Sequence, residues 1–452
     1  MKRLQIVSLG VFLLLTSGVF QWLNATEHKP NVLIILVDDL GYGDLSCLGA
    51  EDLQTPHIDK LFARGMQLNH FYANSTVCSP SRASLLTGCF PIKVGVPGVI
   101  RQNQSDTWGF LNPNSLTLPE HFSNNGYKTA LIGKWHLGLE HPNLPNNRGF
   151  GEFKGFLGDM MDDYWNHLRG GVNWMRHNDH VIEPTGHATD LFADWASDYL
   201  RGARADESPF LLLLSFNAPH DPVQPPNDFL EKVLQREPNI STRRAKLVAF
   251  IEHLDASIGQ VLKTLSQNDQ DKDTIIVFVS DNGGALRFGA NNGNTRGGKG
   301  DHYEGGIRVP MAVAWPKQIK AGSESQNIGL LMDLFPTLCA LSGLPIPESI
   351  DGISLMPMLL GKDQVTDERV LFWVRQEGNL RFGGQSYYAA RYKDFKILQN
   401  SPWEPYQFFN LKEDPYEKSP LKPVGKDYAF LFFQLMDHIQ VNSSFIYTRN
   451  NF

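Results

Sequence analysis

Four short apolar runs in this chain each end abruptly in polar or charged residues. Val32-Leu33-Ile34-Ile35-Leu36-Val37 leads into Asp38-Asp39, and Thr129-Ala130-Leu131-Ile132-Gly133 into Lys134-Trp135-His136. Phe210-Leu211-Leu212-Leu213-Leu214-Ser215-Phe216 leads into Asn217-Ala218-Pro219-His220, and Ile275-Ile276-Val277-Phe278-Val279-Ser280 into Asp281-Asn282. None alternates apolar with polar, so they read as strands buried on both faces of a mostly parallel sheet covered by helices. Helical spacing is kept by Leu247, Ile251, Leu254, Ile258, Val261 and Leu265 over 242–265, and a shorter helix reads at 119–125. Ligands of open α/β sheets sit outside the carboxyl ends of the strands. Asp38, Asp39, Lys134, His136, His220, Asp281 and Asn282 are therefore expected to share one rim.

Beyond Leu355-Met356-Pro357 the pattern changes. Short pieces at 370–373 and 387–390 alternate with Gly, Pro and Asn turns, predicting a small antiparallel sheet. A helix over 428–439 follows, with Phe430, Phe433 and Met436 on one face. The expected fold class is α/β: a large mostly parallel or mixed sheet sandwiched by helices over 26–355, and a smaller C-terminal antiparallel-sheet-plus-helix subdomain over 356–452. No repeat, low-complexity tract or long linker separates the two, which predicts close packing. Residues 1–25 carry Lys2 and Arg3, an interrupted apolar run and small residues near Ala25, the make-up of an export signal peptide. The run is too short and broken for a stable membrane anchor. The expected destination is the periplasm or the exterior, or the lysosomal and secretory route in a eukaryote.

Composition narrows the classes further. Of 452 residues, 42% are hydrophobic and 20% charged, enough for a folded chain with a sizeable core. The formal net charge is −7 and no Lys/Arg stripe appears, which argues against a nucleic-acid partner. Four cysteines are too few for a disulfide framework. Should Cys78 be modified, at most one pair forms among Cys47, Cys89 and Cys339. Sequons at Asn74, Asn103, Asn239 and Asn442 matter only in a eukaryotic host.

The rim residues suggest chemistry. Asp38, Asp39, Asp281 and Asn282 form an all-oxygen set that suits Ca²⁺ or Mg²⁺ and fits zinc poorly. An isolated Asp pair after a strand usually caps a loop. Two such sets after distant buried runs argue instead for a metal. Pro80 reads as the first turn of a helix continuing through Leu86, which puts Cys78 at a helix N-terminus suited to an anion. Arg82 lies one turn on and can reach back. Lys134 and His136, one residue apart on a strand, point the same way. His220 lies in a loop stiffened by Pro219 and Pro222, and Lys299 in a glycine cluster that lets backbone approach a ligand closely.

Cys78-Ser79-Pro80-Ser81-Arg82 resembles the signal for oxidising a cysteine to formylglycine. The chain is similar to type I sulfatases of the alkaline-phosphatase-like superfamily in several further motifs, in the expected order. These are Asp38-Asp39-Leu40-Gly41-Tyr42-Gly43-Asp44, Gly133-Lys134-Trp135-His136, Pro219-His220 and Asp281-Asn282-Gly283-Gly284. Gly297-Gly298-Lys299, Glu304-Gly305-Gly306-Ile307-Arg308-Val309-Pro310 and the stretch from Phe409 to Glu417 complete the set. The resemblance implies hydrolysis of sulfate esters by a hydrated formylglycine at position 78. It implies Ca²⁺, with Mg²⁺ the lesser alternative, held by Asp38, Asp39, residue 78, Asp281 and Asn282. Asp281 would take a proton from the attacking hydroxyl, while Arg82, Lys134 and Lys299 neutralise the sulfate oxygens. His220, with Lys299, would protonate the leaving oxygen, and His136 would help remove the second hydroxyl's proton to expel sulfate. An enzyme that generates formylglycine is the implied partner. A phosphodiesterase or phosphonate hydrolase of the same superfamily is the alternative, although two-zinc relatives would place histidines where none stands.

The segments 162–169 and 173–177 mix aromatic and polar residues, and resemble the corresponding insert of carbohydrate-directed sulfatases. Trp165, His167, Arg169, Trp174 and His177 are candidates to stack on sugar rings or pair with their anions. His180 and His187 read as packing or surface groups. A sulfated polysaccharide or oligosaccharide is thus the expected substrate, with small aryl sulfates as the alternative, and polysaccharide degradation the setting by analogy.

Overall fold

A computed structural model describes residues 29–103, 106–204, 208–378 and 384–443; the expected signal peptide lies outside the described residues. The four apolar runs become β1 (Asn31–Val37), β3 (Lys128–Lys134), β9 (Phe210–Ser215) and β10 (Thr274–Ser280). With β2 (Met66–Tyr72), β4 (Glu152–Phe156), β7 (Met175–His177), β8 (His180–Val181), β11 (Met311–Ala314) and β12 (Ser323–Leu330) they form one ten-stranded sheet. Its order is β12-β2-β11-β10-β1-β9-β3-β4-β7-β8, and β10, β1, β9, β3 and β4 run parallel in succession. A two-stranded ribbon, β5 (Leu168–Arg169) and β6 (Val172–Asn173), stands apart from it.

The unbroken apolar sequence of β1 follows from burial on both faces. Val32, Ile34 and Leu36 face one core, with residues of the helices Cys78–Thr87, Leu118–Asn124 and Leu334–Leu341. Leu33, Ile35 and Val37 face the other, with the helices Pro56–Ala63, Ala188–Ala203 and Thr242–Gln267. Each such side chain contributes about 1.5–3 kcal/mol of burial. Side-chain caps set two helix starts: Thr117 and Glu120 form a capping box, and Ser241 accepts from the Arg244 amide.

The C-terminal strands β13 (Leu371–Gln376), β14 (Ser386–Tyr392), β15 (Phe395–Gln399) and β16 (Gln407–Asn410) form the expected antiparallel sheet. It shares a core with the main domain, where Tyr72, Ile307 and Leu330 meet Trp373, Leu398 and Phe409. The helix Lys426–Asn442 covers its other face. Here the expected face needs correction. Phe430 and Phe433 are exposed, whereas Leu431 and Leu435 are buried beside Tyr428, Phe432, Met436 and Ile439. The latter six keep the three- and four-residue spacing that one helix face requires. All four cysteines are free, and Asn74 is fully buried, so its sequon is inaccessible in the fold. Among the described residues no helix is long and apolar enough to cross a membrane.

Candidate active site

The parallel strands deliver their polar ends to one rim. Asp38 and Asp39 leave β1, and Asp281 and Asn282 leave β10, the neighbouring strand. Lys134 ends β3, and the chain after β9 reaches His220. The helix Cys78–Thr87 points its first turn at this cluster, with Val77 extended at the cap position and Cys78 as the first helical residue. All ten of its residues are buried. Glycines let the remaining loop close in. A Cβ on Gly283 would overlap the Gly305 carbonyl oxygen, so only glycine permits the two loops to touch. Backbone bonds from Lys299 N to Gly284 O (3.1 Å) and from Gly300 N to Thr76 O (2.9 Å) then fix Lys299 over the site.

The side chains interlock. The Cys78 thiol donates to Asp38 Oδ1 (3.2 Å), and Lys134 Nζ to Asp38 Oδ2. Arg82 donates through Nε (3.0 Å) and lies 2.9 Å through Nη2 from Asp281 Oδ2, and its Nη1 reaches Ser215 Oγ (2.7 Å). Lys299 Nζ donates to Asp39 Oδ2 (2.7 Å), and Asn282 Nδ2 to Asp39 Oδ1 (2.8 Å). His220 Nδ1 donates to the Asp221 carbonyl (2.7 Å), leaving Nε2 facing Asp39 Oδ2 at 3.7 Å. His136 Nε2 donates to the Ile100 carbonyl (2.9 Å), and its buried Nδ1 has no partner. Asp39 and His136 both hold left-handed backbone, φ 66° and 60°, a strained state for such residues.

Burial sets the protonation pattern. At Asp38 it is outweighed by Lys134, His220 and Arg82, which hold the carboxyl well below the usual range. At Asp281 burial and the Asp38 charge push the carboxyl up to about 7. Burial and Asp38 likewise push the Cys78 thiol far up, so the unmodified side chain is a poor thiolate nucleophile here. Burial, with Lys134 and Arg82, holds His136 well below the ordinary histidine value, hence neutral.

The donor set fits a hard cation. Ligand atoms of Asp38, Asp39, Cys78 and His220 lie within 4.8 Å of one another, and the buried Asn282 Oδ1 lacks any hydrogen-bond partner. Three carboxylates, Asp38, Asp39 and Asp281, face three cations, Arg82, Lys134 and Lys299. A divalent ion added to this near-balanced set makes the pocket positive, as an anionic substrate group requires.

Every residue expected at the metal or in catalysis meets here, His136 through the charges of Lys134, Arg82 and Asp38 rather than through a hydrogen bond to them. His136 lies beyond the end of β3, so it does not share the direction of Lys134. The five expected sugar contacts scatter. Trp165 is 51% exposed and adjoins Tyr164, whose hydroxyl donates to the His220 carbonyl (3.0 Å). Arg169 is held by Asp159 and Asp162. His167 is buried, its Nε2 donating to the Gly186 carbonyl. Trp174 packs against both cores. His177 pairs with Lys154, two positions back from the rim end of β4. Sequence reasoning missed Ser215, Tyr164 and the Ile100 carbonyl, which orient Arg82, His220 and His136. Only Ser215 left a signal, as the polar last residue of an apolar run.

Known proteins match this arrangement. The profile of the Sulfatase family covers residues 30–344, and that of N-sulphoglucosamine sulphohydrolase, C-terminal, covers 299–440. The chain is 33% identical to N-acetylgalactosamine-6-sulfatase of Canis lupus familiaris over 76% of its own length and 69% of that protein's. It is 30% identical to arylsulfatase A of Homo sapiens over 83% of its length and 76% of that protein's. The crystal structure of Ps i-CgsB in complex with k-i-k-neocarrahexaose superposes with a TM-score of 0.82 at 30% identity, covering 93% of this chain and 94% of that one. Motifs, fold and site thus converge: the chain belongs to the sulfatase family and is a sulfuric ester hydrolase.

Proposed function

We propose that the protein releases inorganic sulfate from a sulfated carbohydrate, an oligosaccharide or polysaccharide, using formylglycine made from Cys78. The observation that carries the reading is Cys78 itself, buried at a helix start among Asp38, Lys134, Arg82 and Lys299 within the sequence Cys-Ser-Pro-Ser-Arg. The carbohydrate part draws support from relatives named for an amino-sugar sulfate and crystallised with a neocarrahexaose. An enzyme that oxidises Cys78 during export, with residues 1–25 as signal, completes the proposal.

Hydrated, the aldehyde at residue 78 supplies the oxygen that attacks sulfur. A bound Ca²⁺, held by Asp38, Asp39, residue 78, Asp281 and Asn282, would supply charge stabilisation for the sulfate oxygens. The chain's own groups do the rest. Arg82 and Lys134 fix the carboxylates and add positive charge, and Lys299 adds more from the opposite loop. Asp281, anchored by Arg82, can accept the hydroxyl proton. His220 presents Nε2 to the leaving oxygen because Nδ1–H is committed to the Asp221 carbonyl. His136 keeps a free Nδ1 to take a proton from residue 78, its Nε2–H being committed to Ile100.

Sulfate release should be measured on matched sulfated oligosaccharides, a small aryl sulfate and a phosphate diester. Highest kcat/KM on an oligosaccharide is expected. An aryl sulfate or phosphate diester turned over faster than every sugar would overturn the carbohydrate reading.

A further inference from the structure

Away from the reacting centre, the seam between the two subdomains encloses a cavity of about 390 Å³. Its walls come from β2 and β12 of the main sheet, from the turn joining β14 to β15, and from Leu411, Lys412 and Pro415. None of the groups assigned to the metal or to catalysis lines it. Each subdomain contributes one arginine. Arg391, on β14, is only 7% exposed; its Nε donates to the Lys393 carbonyl (2.9 Å) and its Nη1 to the Tyr72 hydroxyl, while Nη2 has no partner. Arg308, from the main domain, stacks over the Tyr42 ring. It donates through Nε to the Asn69 carbonyl (2.8 Å) and through Nη2 to the Tyr42 hydroxyl (3.4 Å), and its Nη1 has no partner. Neither guanidinium forms an ion pair with a carboxylate among the described residues. A guanidinium buried as deeply as that of Arg391 is normally paired with an anion.

The charges around the cavity favour one. Glu304 is neutralised by Lys396 (2.9 Å) and accepts from the Tyr72 hydroxyl (2.8 Å). That leaves Arg308, Arg391, Lys393 and Lys412 against Asp367 and Asp394. Lys393 leans toward Glu368 (3.5 Å), whereas the Lys412 side chain is exposed and unpaired. Thr366, 3% exposed, adds a neutral donor: its Oγ1 accepts from the Ile328 amide (2.8 Å), so its O–H remains to donate. His70, in the same wall, carries the mark of a positive surrounding, since burial together with Arg308 and Arg391 holds it down at about 4. Arginine forks match tetrahedral oxyanions through paired hydrogen bonds, and the space exceeds what one such ion fills. A second hollow of about 560 Å³ adjoins across Arg308 and Pro415. Tyr42, Tyr416 and Asn294 in its lining offer the aromatic and amide groups that a sugar ring meets.

We infer that Arg308 and Arg391, with Thr366 and Lys412, bind a sulfate group at this seam, either as the free ion or as a substituent of a glycan held away from the reacting centre. Because the two arginines belong to different subdomains, the bound group ties the subdomains together. The site stands whether or not the substrate is a carbohydrate.

Crystals of the full-length protein soaked in selenate, an anomalous-scattering substitute for sulfate, test the site directly. A peak between Arg308 and Arg391 is expected, and its absence at saturating selenate would overturn the inference. Calorimetric titration with sodium sulfate at constant ionic strength should show a site weakened about tenfold or more in Arg308→Gln and Arg391→Gln. Lys412→Glu reverses a charge without removing a contact of the fold and should weaken the same site about threefold, so the test survives if either arginine variant misfolds. Sulfate affinity unchanged in Lys412→Glu and in the folded arginine variants would count decisively against the site. Sulfated and unsulfated forms of one oligosaccharide, added to Cys78→Ala protein that cannot cleave them, separate the two sources. Displacement of seam-bound selenate by the sulfated form alone identifies a glycan substituent, and displacement by neither identifies the free ion. Equal displacement by both forms would mean that the sulfate group is not what the seam recognises.

Discussion

Asn282 shows best what a single residue contributes to this site. Its Nδ2 is spent on Asp39, which leaves a buried, unpartnered Oδ1 that only a cation or a donor would satisfy. Calcium titration by calorimetry should show one divalent ion bound, and Asn282→Ala should weaken it by at least about tenfold, in the range typical of lost metal-site contacts. Affinity unaltered by the substitution would move the metal elsewhere. Cys78→Ser tests the neighbouring position. The variant should fold, lose turnover and accumulate a sulfate ester on the introduced hydroxyl, because serine lacks the second hydroxyl that expels sulfate. Mass spectrometry showing no such adduct after incubation with substrate would count against attack from this position. At this scale the gathering of Asp38, Asp39, Lys134, His220, Asp281 and Asn282 on one rim was legible, since each follows an apolar run or sits in a proline-marked loop. Ring orientation was not: the turn of His136 depends on its φ and on Ile100, far away in sequence.

Elements carry a different kind of constraint. Gly133, the penultimate residue of β3, has φ 105°, and a Cβ there would overlap the Ser215 carbonyl oxygen of β9. Gly133→Ala should cost about 2 kcal/mol or more and displace Lys134, read as a lower denaturation midpoint and lower activity together. Asp255, on the helix Thr242–Gln267, caps the helix Pro56–Ala63 by accepting from the Ile58 (2.8 Å) and His57 (3.1 Å) amides. Burial raises its carboxyl from 3.8 to about 7. A raised folded value means stability that is fully present below about 4 and lost as pH rises through 7, with a slope of up to about 1.4 kcal/mol per pH unit. Asp255→Asn, which still accepts one amide, should lack that slope, so its stability relative to wild type should rise from pH 5 to pH 8 in urea titrations. The strands and the long helix were readable from periodicity, because burial on two faces or one stripe writes itself into the sequence. The terminal helix misled because its aromatics lie on both sides, and the buried stripe is marked by Leu431 and Leu435.

The whole molecule is clasped by charge as well as by core. Lys396 of the C-terminal sheet is completely buried between Glu304 (2.9 Å), which opens the short helix after the Lys299 loop, and Glu417 (2.8 Å). Glu417 also accepts from the Glu304 amide, and Tyr72 donates to Glu304, which Lys396 and Arg391 hold at about 2 against the effect of burial. This gives the stretch from Phe409 to Glu417 a physical purpose that its sequence alone did not disclose: it supplies one jaw of the clasp. Lys396→Met strands two buried carboxylates and should destabilise by about 3–5 kcal/mol, lowering activity through the Lys299 loop. A melt unchanged by that substitution would mean the subdomains are held by apolar contacts alone. Everything assembled by the clasp serves one residue. Mass spectrometry of the peptide spanning position 78, taken from protein that releases sulfate, should show a mass about 18 Da below that of cysteine, the loss expected when a thiol becomes an aldehyde. An intact cysteine thiol at that position in fully active protein would contradict the account.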